Sequence, residues 1–150
     1  MEAEKIMKII GKTLGVIILI FILMYILMFG MPKPFPVHID KVTKIELLEF
    51  TGGTQPYKIF EITDETQVKE FLGYFKKVSF GRKASPACPF GLPIIFYEKN
   101  KKTQMELGTD SCGLIKYNDY YYFLNLSIDK IEEMQDKIRQ LGLDFDRIRI

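Results

Sequence analysis

Tryptophan is absent from this 150-residue chain, alanine is scarce, histidine occurs once and cysteine twice. The lack of tryptophan and alanine, beside abundant lysine, isoleucine, phenylalanine and tyrosine, fits an AT-rich coding sequence and constrains the fold little. The single histidine and the cysteine spacing exclude more. A hydrolytic triad needs a histidine held among its partners, whereas His38 lies outside the globular part, beside a Pro-rich stretch. No His or Cys cluster has metal-ligand spacing. Cys88 and Cys112 are too far apart for the C-x-x-C geometry that lowers a thiol pKa. An excess of one charge is missing too: 21 Lys and Arg oppose 19 Asp and Glu, interspersed, for a formal net charge of +2. Nucleic-acid binding leaves a basic footprint that this chain lacks. The sequence therefore assigns no catalytic residue, no metal ligand, no cofactor and no nucleic-acid partner.

One stretch lacks charge altogether. From Thr13 to Met31 the chain reads TLGVIILIFILMYILMFGM, and an α-helix of that length, at about 1.5 Å per residue, matches a hydrocarbon core of roughly 30 Å. Only a helix satisfies all its backbone groups internally at that depth. The segment 13–31 is thus expected to be a single transmembrane helix. Lys5, Lys8 and Lys12 precede it in a short tail, residues 1–12, against Lys33, Lys41 and Lys44 beyond it; because Lys12 abuts the apolar run in a signal-like basic region, the N-terminus is expected in the cytoplasm. A cleaved signal peptide is the rival reading. MFGMPKPFP offers no A-x-A-like site and no cysteine follows the apolar run before Cys88, so the span is expected to be retained as a signal anchor in the cell membrane. Gly11 and Gly15 form a G-x-x-x-G that could pair two spans, though at the membrane edge, where close packing counts least.

Pro32, Pro34 and Pro36 stop the helix and favour an extended stalk over residues 32–40. Residues 41–150 suit one extracytoplasmic domain. VTKIELLEF and YKIFEI alternate about the turn TGGTQP and read as a hairpin. Asp64 stands three residues before Gln67, and Val68, Phe71, Leu72 and Phe75 recur at helical spacing. IIFYEK and TQMELG make a second hairpin; a turn at Asn100 and Lys101 would oppose Ile94 to Leu107 and Phe96 to Met105. That register brings Cys88 and Cys112 within one residue of facing each other, which makes a disulfide geometrically plausible. LIKY and YYYFLNL turn at Asn118 and Asp119, opposing Tyr117 to Tyr120 and Ile115 to Tyr122. Ser127 can cap a last helix whose apolar face holds Ile128, Ile131, Met134, Ile138 and Leu141, with Gly142 as its stop. DFDRIRI reads equally as an edge strand or a tail. The fold class is α+β: a transmembrane helix followed by one antiparallel sheet with two amphipathic helices.

Two cysteines outside the cytoplasm point to a structural bridge. Tyr117, Tyr120, Tyr121 and Tyr122 are the candidate binding patch, because tyrosines on a sheet offer stacking faces and hydroxyls. The sequon at Asn125 has a sufficient explanation in the helix cap at Ser127. The stretches ITDETQVKEFLGYFKKVSF, SPACPFGLPIIFYEKNKKTQMEL and IKYNDYYYFLNLSIDKIEEM together resemble small membrane-anchored or lipoprotein-type proteins of Gram-positive bacteria, mostly of unknown function. That likeness is one of arrangement; it transfers no site residues, and the missing lipobox departs from the lipoprotein members. The expectation is a membrane-anchored interaction module whose partners, besides the lipid bilayer, are an envelope polymer, a peptide or a membrane protein. The alternative is a cell-envelope enzyme with an active site unlike known motifs.

Overall fold

The structure, a computed structural model, describes residues 2–50, 56, 58–83 and 86–143. Two compact units divide the chain after Pro32. The first is one helix, α1 (Glu2–Phe29), ended by Gly30 at φ 69°, a conformation glycine adopts without a steric penalty. Its stretch Ile6–Met28 is 23 residues long with mean hydropathy 2.5, enough to cross a membrane by length and composition. Helix therefore occupies much of the expected tail 1–12 as well as the apolar run, and Gly30 and Met31 lie beyond its end.

The second unit is built on β1 (Val42–Glu49), β2 (Lys58–Ile62), β3 (Phe90–Glu98), β4 (Lys101–Gly108), β5 (Leu114–Tyr117) and β6 (Tyr120–Phe123). These make one sheet in the order β2-β1-β3-β4-β5-β6, with every neighbouring pair antiparallel. Two helices, α2 (Glu65–Leu72) and α3 (Ile128–Gln140), complete the α+β fold. Asp64 caps α2 as its position predicts, its Oδ1 accepting from the Gln67 N–H at 3.0 Å. A 3₁₀ turn over Gly73–Phe75 extends the helix and buries Tyr74 and Phe75.

Strand periodicity sorts the side chains into two faces. Ile45, Leu47, Phe60, Ile62, Leu92, Ile94, Phe96, Met105, Leu107, Ile115 and Tyr122 form the core with Val68, Phe71 and Phe75 from the α2 region and Met134 and Ile138 from α3. On α3 the expected apolar face is narrower: Ile128 and Leu141 at its ends are exposed, and Gln135 is buried instead. Gln135 is tolerated there because its amide donates to the Asp110 carbonyl at 2.9 Å. Ser127 occupies the N-cap position without a side-chain cap bond.

The β3–β4 hairpin departs from the expected register. Its turn is Lys99–Asn100, so Ile94 faces Met105 and Leu92 faces Leu107. A two-residue slide keeps each side chain on its original face, which is why hydrophobic alternation alone did not exclude the other register. The β5–β6 pairing is as expected, Tyr117 to Tyr120 and Ile115 to Tyr122, with Asn118 at φ 52° in the turn.

In the segment 33–41, residues 33–40, expected as part of a stalk, belong to the compact unit of the domain. Val37 is buried and Phe35 packs edge-on to Tyr122 and Phe96, with ring centroids 5.5 and 6.4 Å away. The Tyr122 hydroxyl lies 3.4 Å from the Pro34 carbonyl, and Lys101 donates to the Pro36 carbonyl. The prolines keep the segment extended, but Phe35 and Val37 alternate as in a strand; burying Val37 contributes roughly 1.5–3 kcal/mol that a solvated stalk forgoes, and the partly buried Phe35 adds to it. His38 is drawn in with them: its Nδ1 is 2.9 Å from Glu98 Oε1. The TGGTQP turn lies almost wholly, and the DFDRIRI segment wholly, outside the described residues.

Candidate functional site

The helices and the 33–41 segment pack on one face of the sheet; the opposite face carries most of its polar and exposed side chains. Across β2, β1 and β3 these form a continuous network. Lys44 Nζ lies 2.7 Å from Glu46 Oε1 and 2.8 Å from Glu61 Oε1, and the Tyr97 hydroxyl donates to Glu46 Oε2 at 2.5 Å. Lys44 and Lys102 both sit over the Tyr97 ring, 5.0 and 5.2 Å from its centroid. Burial pushes the Glu46 carboxyl up, but hydrogen bonds from Lys44 and Tyr97, with the charges of Lys44 and Lys102, outweigh it and hold the group below its ordinary value. Hydrogen bonds to Glu46 and Glu61 raise Lys44 in turn. Both partners therefore stay charged at neutral pH.

Further along, Lys116 pairs with Glu106 at 3.2 Å, and Tyr121 stacks at a tilt on Phe90 with centroids 5.5 Å apart. Phe123 stands half exposed at the end of β6. Because β5 turns at Asn118 and Asp119 while β4 continues back to Lys101, a groove of about 340 Å3 opens beside the turn, lined by Gln104, Glu106, Lys116 and Asp119 among others.

The tyrosine patch divides along the same alternation. Tyr120 and Tyr122 point to the core face, at 9% and 1% exposure, and Tyr122 is among the most enclosed large side chains in the protein. Tyr117 also packs against the core, half-buried. Only Tyr121 reaches the polar face. A short two-residue turn fixes the face of every ring in the hairpin, so four tyrosines close in sequence cannot form one surface. The partners they lack come from elsewhere: Tyr97 and Lys44 on the polar face come from strands far along the chain. Periodicity carries no signal for these, because strand order decides which alternating positions become neighbours.

Cys88 and Cys112 are joined, with S–S 2.01 Å and Cα atoms 6.4 Å apart. The Cys112 N–H donates to Asp110 Oδ1 at 3.0 Å, and Gln135 ties the Asp110 carbonyl to α3, so the bridge is anchored to the core. Asp110 and the two sulfurs are close enough to surround a metal ion, but sulfurs paired with each other are not the thiolates that bind metals.

A second groove, about 460 Å3, lies between the α2 region and the start of α3. In it the Tyr74 hydroxyl donates to Glu133 Oε1 at 2.8 Å, Lys130 pairs with Glu133 Oε2 at 2.5 Å, and Lys137 pairs with Glu70. Burial and Glu133 raise the Tyr74 phenol well above its ordinary value, while Lys130 and Tyr74 lower Glu133. Acid–base catalysis needs groups that change protonation near the working pH, and these shifts move both away from it. Comparison with protein-family models, curated proteins and solved structures gives no match for this chain.

Proposed function

We propose that this chain is a single-pass membrane protein, its N-terminus cytoplasmic, which presents the α+β domain outside the cytoplasm as a non-catalytic interaction module. The observation that carries the reading is the polar and aromatic sheet face from Lys44 to Phe123, on the side away from the helices. Its alternating charges, with Tyr97 and Tyr121 among them, suit an envelope polymer, a peptide or a neighbouring membrane protein, since aromatic rings supply contact area at low entropic cost. Sidedness is supported by the disulfide, which persists in oxidising compartments, and by the lysines ahead of the apolar run.

Photo-crosslinking residues placed at Tyr97 and Tyr121 in native membranes are expected to capture a common partner, while one at Gln140 on α3 does not. Equal capture from all three positions, or none from the sheet, would overturn the reading. Protease added to spheroplasts is expected to digest the domain; digestion only after lysis would reverse the orientation.

A further inference from the structure

The segment after the apolar helix does more than connect. Lys33 pairs with Gly81 through both backbone bonds, its N–H donating to the Gly81 carbonyl at 3.1 Å and its carbonyl accepting from the Gly81 N–H at 2.7 Å. Arg82 pairs the same way with Tyr121 of β6, its N–H donating at 3.1 Å and the Tyr121 N–H returning at 2.8 Å. Two short stretches of chain thus extend the sheet beyond β6, and the outermost begins where the helix has just ended.

This edge has a distinct composition. Phe80 is 62% exposed and Phe123 is 49% exposed, and Ser79 holds them together, accepting from the Phe123 N–H at 2.9 Å through Oγ and donating its own N–H to the Phe123 carbonyl at 2.8 Å. Lys33, Arg82 and Lys83 are all exposed. Lys33 and Lys83 both lie over the Tyr120 ring, 4.5 and 5.8 Å from its centroid, and Arg82, next to Lys83 in the chain, is bridged to Tyr121 along the same edge. Large apolar rings beside several cations match a lipid headgroup layer, where the rings reach the acyl boundary and the cations meet phosphates.

Chain length selects that occupant over a soluble partner. Lys33 is the fourth residue after Phe29, the last of the helix, and four residues reach at most about 14 Å. With the apolar stretch in the hydrocarbon, Lys33 and the strands paired to it are confined to the headgroup layer or its border. We infer that the edge formed by Lys33, Phe80, Arg82, Lys83 and Phe123 docks the domain onto an anionic bilayer surface. The docking sets the orientation of the domain, and the inference rests on the reading of α1 as a membrane span.

The absence of tryptophan makes the test direct. Phe80→Trp, Phe123→Trp and Ile59→Trp each place one reporter in the full chain, reconstituted in phosphatidylglycerol and phosphatidylcholine vesicles carrying brominated acyl chains. Ile59, half exposed on β2 at the opposite edge, is the control, roughly 24 Å from β6 at 4.8 Å per strand. Trp at 80 and 123 is expected to be quenched and blue-shifted, and Trp at 59 to be neither. Each cation near an anionic surface is worth about a fivefold factor. The combined Lys33→Gln, Arg82→Gln, Lys83→Gln variant should therefore cut the docked-to-free ratio about a hundredfold and bring quenching at 80 to the level at 59, with its circular dichroism unchanged. Equal quenching at 80 and 59 in the parent chain, or quenching that survives the triple substitution, overturns docking. Alkaline carbonate extraction separates the two failures: release of the chain from native membranes defeats the span itself, whereas a retained chain with an unquenched reporter at 80 defeats docking alone.

Discussion

Ile18 in the apolar helix and Ile45 in β1 are the same residue in opposite surroundings: the first is 51% exposed and the second completely buried. The contrast extends across the two units. None of the apolar stretch of α1 is buried against protein, whereas the domain hides its apolar side chains between sheet, helices and the 33–41 segment. A helix closes its own hydrogen bonds and needs only a solvent that accepts its side chains; a strand needs neighbours for both backbone and side chains. In one unit the apolar residues specify an environment, and in the other they specify each other.

The most forceful way to break that comparison is to truncate one ring in each unit. Phe96 is fully buried and meets Phe75 edge-on at 5.2 Å, so Phe96→Ala should lower the unfolding free energy of the domain by about 3–5 kcal/mol. Phe21→Ala should leave it within about 0.5 kcal/mol. Denaturant unfolding of the full chain in detergent checks both, and similar losses would show that the units are not separate. Next in size is the bridge. Cys88 and Cys112 are 24 positions apart, and replacing both with serine should cost about 3–4 kcal/mol on the loop-entropy model; thermal melts should shift in the domain and not in the helix.

A smaller effect sharpens the role of the 33–41 segment. A Cβ at Gly81 would fall 2.5 Å from Tyr122 Cζ, so Gly81→Ala must displace a ring that Phe35 packs against. About 1–3 kcal/mol should be lost, and hydrogen exchange at the Lys33 amide should quicken; unchanged exchange would mean the segment is held in some other way. The mildest test concerns the polar face. Because the folded state holds Glu46 below its ordinary value of 4.5, its contribution is complete above that pH and is lost as pH falls through the lower folded value. Glu46→Gln should flatten this acid limb in a stability titration, and an unaltered limb would remove Glu46 from the network.

How much was legible from residues alone varied with the range of the interaction. The Asp64 cap, the register of the β5–β6 hairpin and the apolar face of α3 between Ile131 and Ile138 depend on neighbours within a few positions, and each was readable. The β3–β4 register was not, because a turn at Lys99 and Asn100 and one at Asn100 and Lys101 satisfy the same alternation. Of the tyrosine patch, the turn at Asn118 and Asp119 was readable, but which face of β6 would meet α2, α3 and Phe35 was not.

The sequence by itself determined an uncharged apolar run long enough for a bilayer, the alternation of each strand, and a cysteine pair able to bridge. These follow from hydropathy and from periods of 3.6 and 2, which belong to the chain locally. Only the tertiary structure decided that β3 lies beside β1, that Lys44, Glu46, Glu61 and Tyr97 become one network, that Tyr122 is core, and that Lys33 closes on Gly81. Apart from Lys44 and Glu46 on one strand, those contacts join residues 17 to 88 positions apart, and they exist because burying one sheet face selects a strand order that no local period encodes.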